Sequence, residues 1–152
     1  MRTLAEIERR LDELTGNSVP GTGRPVPGTE FPAAAGELLA LGEGILEHWL
    51  AARGLEPTRE EREGFRLLAL HRQGATGDPS FNACRETCRE LVYHYNLLTM
   101  DPQHEDSLRR LRMMALVANH LRLFVVGRMQ VAGLGDFCCS SRSVREQAAR
   151  AE

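Results

Sequence analysis

Two cysteines four residues apart, Cys84 and Cys88, are the first residues able to do chemistry. On a helix, i and i+4 lie on one face, a spacing that can offer two thiolates to zinc or to an iron–sulfur cluster. The adjacent Cys138 and Cys139 form a second pair. Neighbouring cysteines rarely both reach one tetrahedral ion, so this pattern is weaker than two CxxC knuckles. Cys84 and Cys88 could equally be a redox dithiol, or small apolar fillers of a packed seam, as buried free cysteine commonly is. The filler reading is the plainest. A helical CxxxC lacks the exposed helix N-terminus that lowers the thiol pKa in CxxC oxidoreductases.

Asn119 and His120 interrupt the apolar run Met113 to Val126, so at least one is expected to be buried and hydrogen-bonded. A buried His120 is a ligand or general base, or a satisfied core histidine. In an antiparallel hairpin turning near Pro102 to Glu105, position 84 faces about 123 and position 88 about 119. At 1.5 Å rise per residue these levels lie about 23 to 29 Å from the turn. Cys84, Cys88 and His120 are therefore the natural cluster within one chain. Cys138 lies about 22 Å further along a straight extension, and joins only if the chain folds back at Gly133 to Gly135 or if the site is shared between subunits.

Other signatures are missing. Glu90 and His94 stand at i, i+4, but the paired Glu-x-x-His of a di-iron bundle is absent. There is no HExxH and no CxxCH, although haem held by a lone His or Cys has no motif to search for. GTGRPVPG follows no predicted strand, so it is not a phosphate loop. No Ser-His-Asp, paired-carboxylate or phosphate-loop arrangement supports a hydrolase or transferase. His48 and His71 are expected on helix surfaces, and Met100, Met113, Met114 and Met129 as core filler and rim rather than a copper site.

All nineteen basic residues are Arg, against 21 acidic residues, for a formal charge of -2. The absence of Lys excludes Schiff-base chemistry and a P-loop. Arg109, Arg110, Arg112, Arg122 and Arg128 do not line one face, and with 5% aromatic residues there is little to stack bases on. Solvated faces and intrahelical pairs account for these arginines, and coding bias for the missing Lys.

The elements that must position these groups are helical throughout. A chain of 152 residues, 42% hydrophobic and 26% charged, makes one ordered domain. Leu4, Ile7, Leu11 and Leu14 mark a short amphipathic helix ended by Gly16. Four prolines and four glycines between Gly16 and Pro32 then predict an extended strap. The remaining periodicity predicts an all-α bundle of four main helices, at about 32–53, 57–73, 80–100 and 106–132. Leu38, Leu41, Ile45, Trp49 and Ala52 face inward on the first; Phe65, Leu68 and Arg72 mark the inner face of the second, with Leu67 and Leu70 beside it. The third carries a heptad seam from Phe81 through Cys84, Cys88, Leu91, Tyr95 and Leu98. The fourth is apolar almost all round and is expected to be the most buried. Gly36, Gly42 and Gly44 weaken the first main helix or let others approach it closely.

The organisation expected is an N-terminal arm at 1–15, a Pro/Gly linker at 16–30, the bundle at 31–137 and a polar tail at 138–152. The N-terminus has no signal-peptide h-region, and no apolar run reaches the ~20 residues that span a bilayer. A cytoplasmic protein with reduced cysteines follows. The expected function is that of a small soluble helical binding or accessory protein without catalysis of its own. It assembles with itself or with a larger partner through the N-terminal arm, and engages neither nucleic acid nor membrane. The alternative is a metal- or iron–sulfur-binding sensor or carrier, or a thiol-redox protein, centred on Cys84 and Cys88. Its candidate ligands are Cys84, Cys88, His120, Cys138 and Cys139, with zinc, an iron–sulfur cluster or haem as the cofactor.

Overall fold

The computed structural model describes residues 2–15, 30–75 and 82–133. Expectations for the 16–29 strap and the 134–152 tail, with Cys138 and Cys139, lie outside the described residues. The described chain is all-helical, 79% helix without strands: α1 (Leu4–Thr15), α2 (Phe31–Ala52), α3 (Arg66–Ala75), α4 (Asn82–Met100) and α5 (Ser107–Val131).

α1 begins with a reciprocal cap: the Glu6 amide donates to Thr3 Oγ1 and the Thr3 amide to Glu6 Oε2, satisfying two donors that a helix start leaves open. Twelve residues make a marginal helix in water, so its order comes from docking. Ile7 and Leu11 are buried against α2 and α5 of the same chain, each contributing about 1.5–3 kcal/mol of apolar burial. Arg10 grips Glu37 of α2 with two bonds, at 2.7 and 2.8 Å, and its guanidinium holds the Glu37 carboxyl below the usual carboxylate range. His48 Nε2 donates to the Arg2 carbonyl at 2.6 Å. The arm expected to reach for a partner rests on its own chain.

Every other helix packs on α2, so α2, not α5, is the innermost element. It ends as its sequence predicts. Gly54, at φ 75°, lets the Leu55 amide reach back to the Leu50 carbonyl and the Gly54 amide to Ala51, closing the helix in a Schellman turn. Halfway along, a Cβ on Gly42 would stand 3.2 Å from Leu91 Cδ1 of α4 and 3.3 Å from Leu67 Cδ1 of α3. The missing side chain is what admits both helices. Gly44 does the same for Ile7 of α1, at 3.1 Å, whereas a Cβ on Gly36 would meet nothing within 4 Å.

α3 starts nine residues later than the periodicity suggests. Residues 58–64 contain no apolar side chain, so a helix there would bury nothing to offset its ordering entropy. The segment instead turns at Glu63 and Gly64, at φ 54° and 83°, with Arg62 and Phe65 paired through their backbones. The inner face of α3 holds Leu68, with Leu67 and Leu70 beside it, as expected, but continues through His71 and Gly74, whereas Arg72 is exposed.

α4 and α5 form the expected hairpin. The turn is tied by Ser107 Oγ donating to the Asp101 carbonyl at 3.3 Å and by the Asp106 amide donating to His104 Nδ1 at 3.0 Å. The Arg110 charge acts on His94 and the Arg128 charge on Cys84, which fits antiparallel pairing. No helix among the described residues is long and apolar enough to cross a membrane.

Candidate functional site

Of the predicted α4 seam, Phe81 lies outside the described residues, while Cys84, Cys88, Leu91 and Leu98 are buried. Tyr95, half-buried, meets Phe65 edge-on with ring centroids 5.6 Å apart. Burial pushes the Cys84 thiol up to about 12, partly countered by Arg128. It holds the Cys88 thiol well above its ordinary range, with neighbouring Cys84 adding to the effect. Thiolate is the nucleophile and the metal ligand, and burial disfavours that form at both positions.

Among the described residues no third ligand joins them. His120 is exposed on the outer side of α5, so of the two polar residues in the run it is Asn119, half-buried and accepting from Arg122 Nε at 3.0 Å, that turns partly inward. Among the described residues no three His, Cys, Asp or Glu side chains converge as a metal site requires. The reason is local. α5 turns Val117, Ala118 and Leu121 inward, which carries His120 to the opposite face. The buried histidines are His71 and His94. His94 Nδ1 has no hydrogen-bond partner among the described residues, and its Nε2 stands 3.8 Å from Glu90, too far for a good hydrogen bond. Desolvation accordingly lowers the His94 pKa, against Glu90 and with help from Arg110.

The larger departure from expectation is apolar. Seven large apolar side chains among the described residues are exposed, and six of them sit on α4 and α5. Met113 (42%), Leu116 (53%), Leu123 (55%) and Val131 (77%) run along the outer side of α5, with Tyr93 (59%) and Met100 (84%) on α4. A helix that is apolar all round normally belongs inside a larger structure. This one is covered on one side by α2, α4 and α1 and left open on the other. Seen in the sequence, the run suggested depth; it marks two apolar faces.

A second feature is polar. A cleft of about 230 Å³ between the 62–65 turn, α3 and the start of α4 is lined by Arg62, Arg72, Arg85, Arg89 and His71, with Leu68 and Ala75. Arg62 and Arg72 also border a neighbouring hollow that contains Glu60 and Glu61, and Glu63 engages Arg89 at 3.1 Å. Guanidinium forks suit a small oxyanion, but the three carboxylates offset much of the positive field. Sequence spacing does not reveal this cleft, because its arginines come from three separate segments.

Compared with known proteins, the chain matches no family model, no curated protein sequence and no solved structure.

Proposed function

We propose that this chain is a helical binding protein without catalysis of its own, working by protein–protein contact through the outer face of α5 and the adjoining side of α4. The single observation that carries this reading is the open apolar stripe Met113, Leu116 and Leu123. Contiguous exposed apolar surface on a folded chain marks an interaction site far more often than scattered single residues do. α2 to α5 act as a four-helix bundle, with α1 as an arm tied on through the Pro/Gly segment. The division at 1–15, 16–30, 31–137 and 138–152, and a cytoplasmic setting, belong to the same proposal. Its partner surface is moved from the arm, whose inner apolar residues are covered, to α5.

The metal or redox alternative would need Cys84 and Cys88 as thiolates and a further ligand from Cys138, Cys139 or a second chain. The raised thiol pKa values weigh against it.

The test is a photo-crosslinking amino acid placed at Leu116 in cells, with the exposed polar Glu60 of the 58–64 segment as control. A covalent adduct of discrete mass from position 116, and none from position 60, is expected. No adduct at 116, or equal labelling at both, overturns the reading.

A further inference from the structure

We infer that the outer face of α5 is covered by the same face of a second copy, the two α5 helices running antiparallel about a two-fold axis at His120. This rests on the binding role proposed for that face and names its occupant.

The face is self-complementary. Met113, Leu116, His120, Leu123 and Gly127 follow one another at spacings of 3, 4, 3 and 4, the seam spacing of packed helices. A two-fold contact requires that if residue i meets j, then j meets i. About His120 this pairs Leu116 with Leu123 twice, Met113 with Gly127 twice, and His120 with itself. The sizes agree. Leucine meets leucine at the middle of the stripe, and the long, adaptable methionine meets the one position without a side chain. A Cβ built at Gly127 finds nothing within 4 Å, so there is room for an incoming side chain. At the axis, a neutral imidazole carries one donor and one acceptor, so one His120 ring can donate to the other, a polar pair that fixes register in an otherwise apolar seam.

Charge favours the same direction. Between Met113 and Val131 the exposed positions of α5 carry no Arg, Asp or Glu; Arg122 turns to Glu8 of α1 and Arg128 towards Cys84 of α4. Arg109 and Arg112 are exposed near the start of α5, which has no acidic residue in its first turn. Cations there oppose the helix dipole of their own chain. In the antiparallel pair they reach the C-terminal end of α5 in the second copy, where that dipole is negative. A parallel pair would stack the arginines of both copies together.

The area is also adequate. Residues 113–131 span about 27 Å, and with α4 alongside at about 8–10 Å the face is roughly 20 Å wide. That flat footprint exceeds about 500 Å² per copy, and side-chain relief brings it near the ~800 Å² per partner of a stable complex.

The experiment is sedimentation of the full chain across a concentration series, with variants. A mass twice the 16.9 kDa of the chain is expected. Leu116→Arg and Leu123→Arg, each entering the contact twice, are expected to weaken dimerisation by about a hundredfold with an unchanged circular dichroism spectrum, and Glu60→Arg, exposed in the 58–64 segment away from α5, to leave it intact. Orientation is read from the Lys-free background, where one introduced lysine is the sole side-chain amine. A short amine-reactive reagent should link Asn119→Lys to its own copy. It should not link Arg112→Lys, whose two copies lie about 24 Å apart along the axis. A chain that stays monomeric at several hundred micromolar overturns the second copy as occupant, while a foreign adduct at position 116 would still uphold the binding role. A dimer that survives both arginine variants overturns this face, and self-linking of Arg112→Lys overturns the antiparallel axis.

Discussion

α1 and α5 carry apolar stripes at the same spacing, and the chain treats them in opposite ways. On α1, Leu4, Ile7, Leu11 and Leu14 are backed by Glu and Arg, and the inner pair, Ile7 and Leu11, is buried in the chain itself. On α5, Met113, Leu116 and Leu123 back onto a second apolar face, Met114, Ala118, Leu121 and Val125, and only that second face is buried. A helix with one apolar stripe needs one cover. A helix with two needs covers on both sides, and α2, α4 and α1 supply one of them.

Four substitutions test this contrast and the stability of the folded chain. The largest effect is expected at Leu11→Ala, which empties a fully buried site and should cost about 2–5 kcal/mol in urea unfolding. Loss of helix only in α1, with α2 to α5 equally protected in hydrogen exchange, would show that the arm docks without supporting the rest. Arg10→Ala removes the double bond to Glu37 at a partly exposed site, so about 0.5–1 kcal/mol is expected. Because the Glu37 carboxyl titrates lower when folded, its contribution is present above the ordinary carboxylate pKa and fades as pH falls through the folded value. In Arg10→Ala that acid limb should flatten, as thermal unfolding between neutral pH and pH 3 would report.

A third expectation concerns His94, whose pKa burial lowers. The unfolded chain then binds the proton more readily, so stability should decline as pH drops below about 6.5, the ordinary histidine value, until the folded pKa is passed. His94→Gln should remove that slope. Glu90 and Arg110, the charges that act on it, act in opposite directions and leave desolvation in control. The smallest effect is expected at Leu123→Ala. Under dilute conditions its unfolding free energy should stay within about 0.5 kcal/mol of the parent; a loss like that of Leu11→Ala would mean the face is already covered within one chain.

The same two helices show what a sequence can reveal. The stripe of α1 and the seam of α4 were legible because a polar opposite side makes the period visible. The inner face of α5 was not, since bulky apolar side chains lie on both sides, Met114, Leu121 and Val125 inside and Met113, Leu116 and Leu123 outside, and no polar side marks the period. His120 lies on the outer of the two. The burial of His71 was missed for a related reason: α3 begins only after the polar stretch 58–64, and its inward face of Leu67, Leu68 and Leu70 then continues through His71 and Gly74 rather than through Arg72. The seam cysteines were placed correctly in the fold, but their chemistry depends on depth, which spacing alone does not give.

Gly42 has a consequence for how the chain can vary. Its missing side chain sits where Leu67, Leu91 and Leu121 of three different helices converge. A methyl group there already presses on Leu91 and Leu67 at once, so both must give by a few tenths of an ångström, and a larger side chain needs more from all three. In a saturation library, position 42 should tolerate almost nothing, whereas position 36, six residues earlier on the same helix with open space around it, should accept most side chains and gain helicity from them. Two glycines in one helix would then have opposite mutational histories, one held by geometry and the other free to drift.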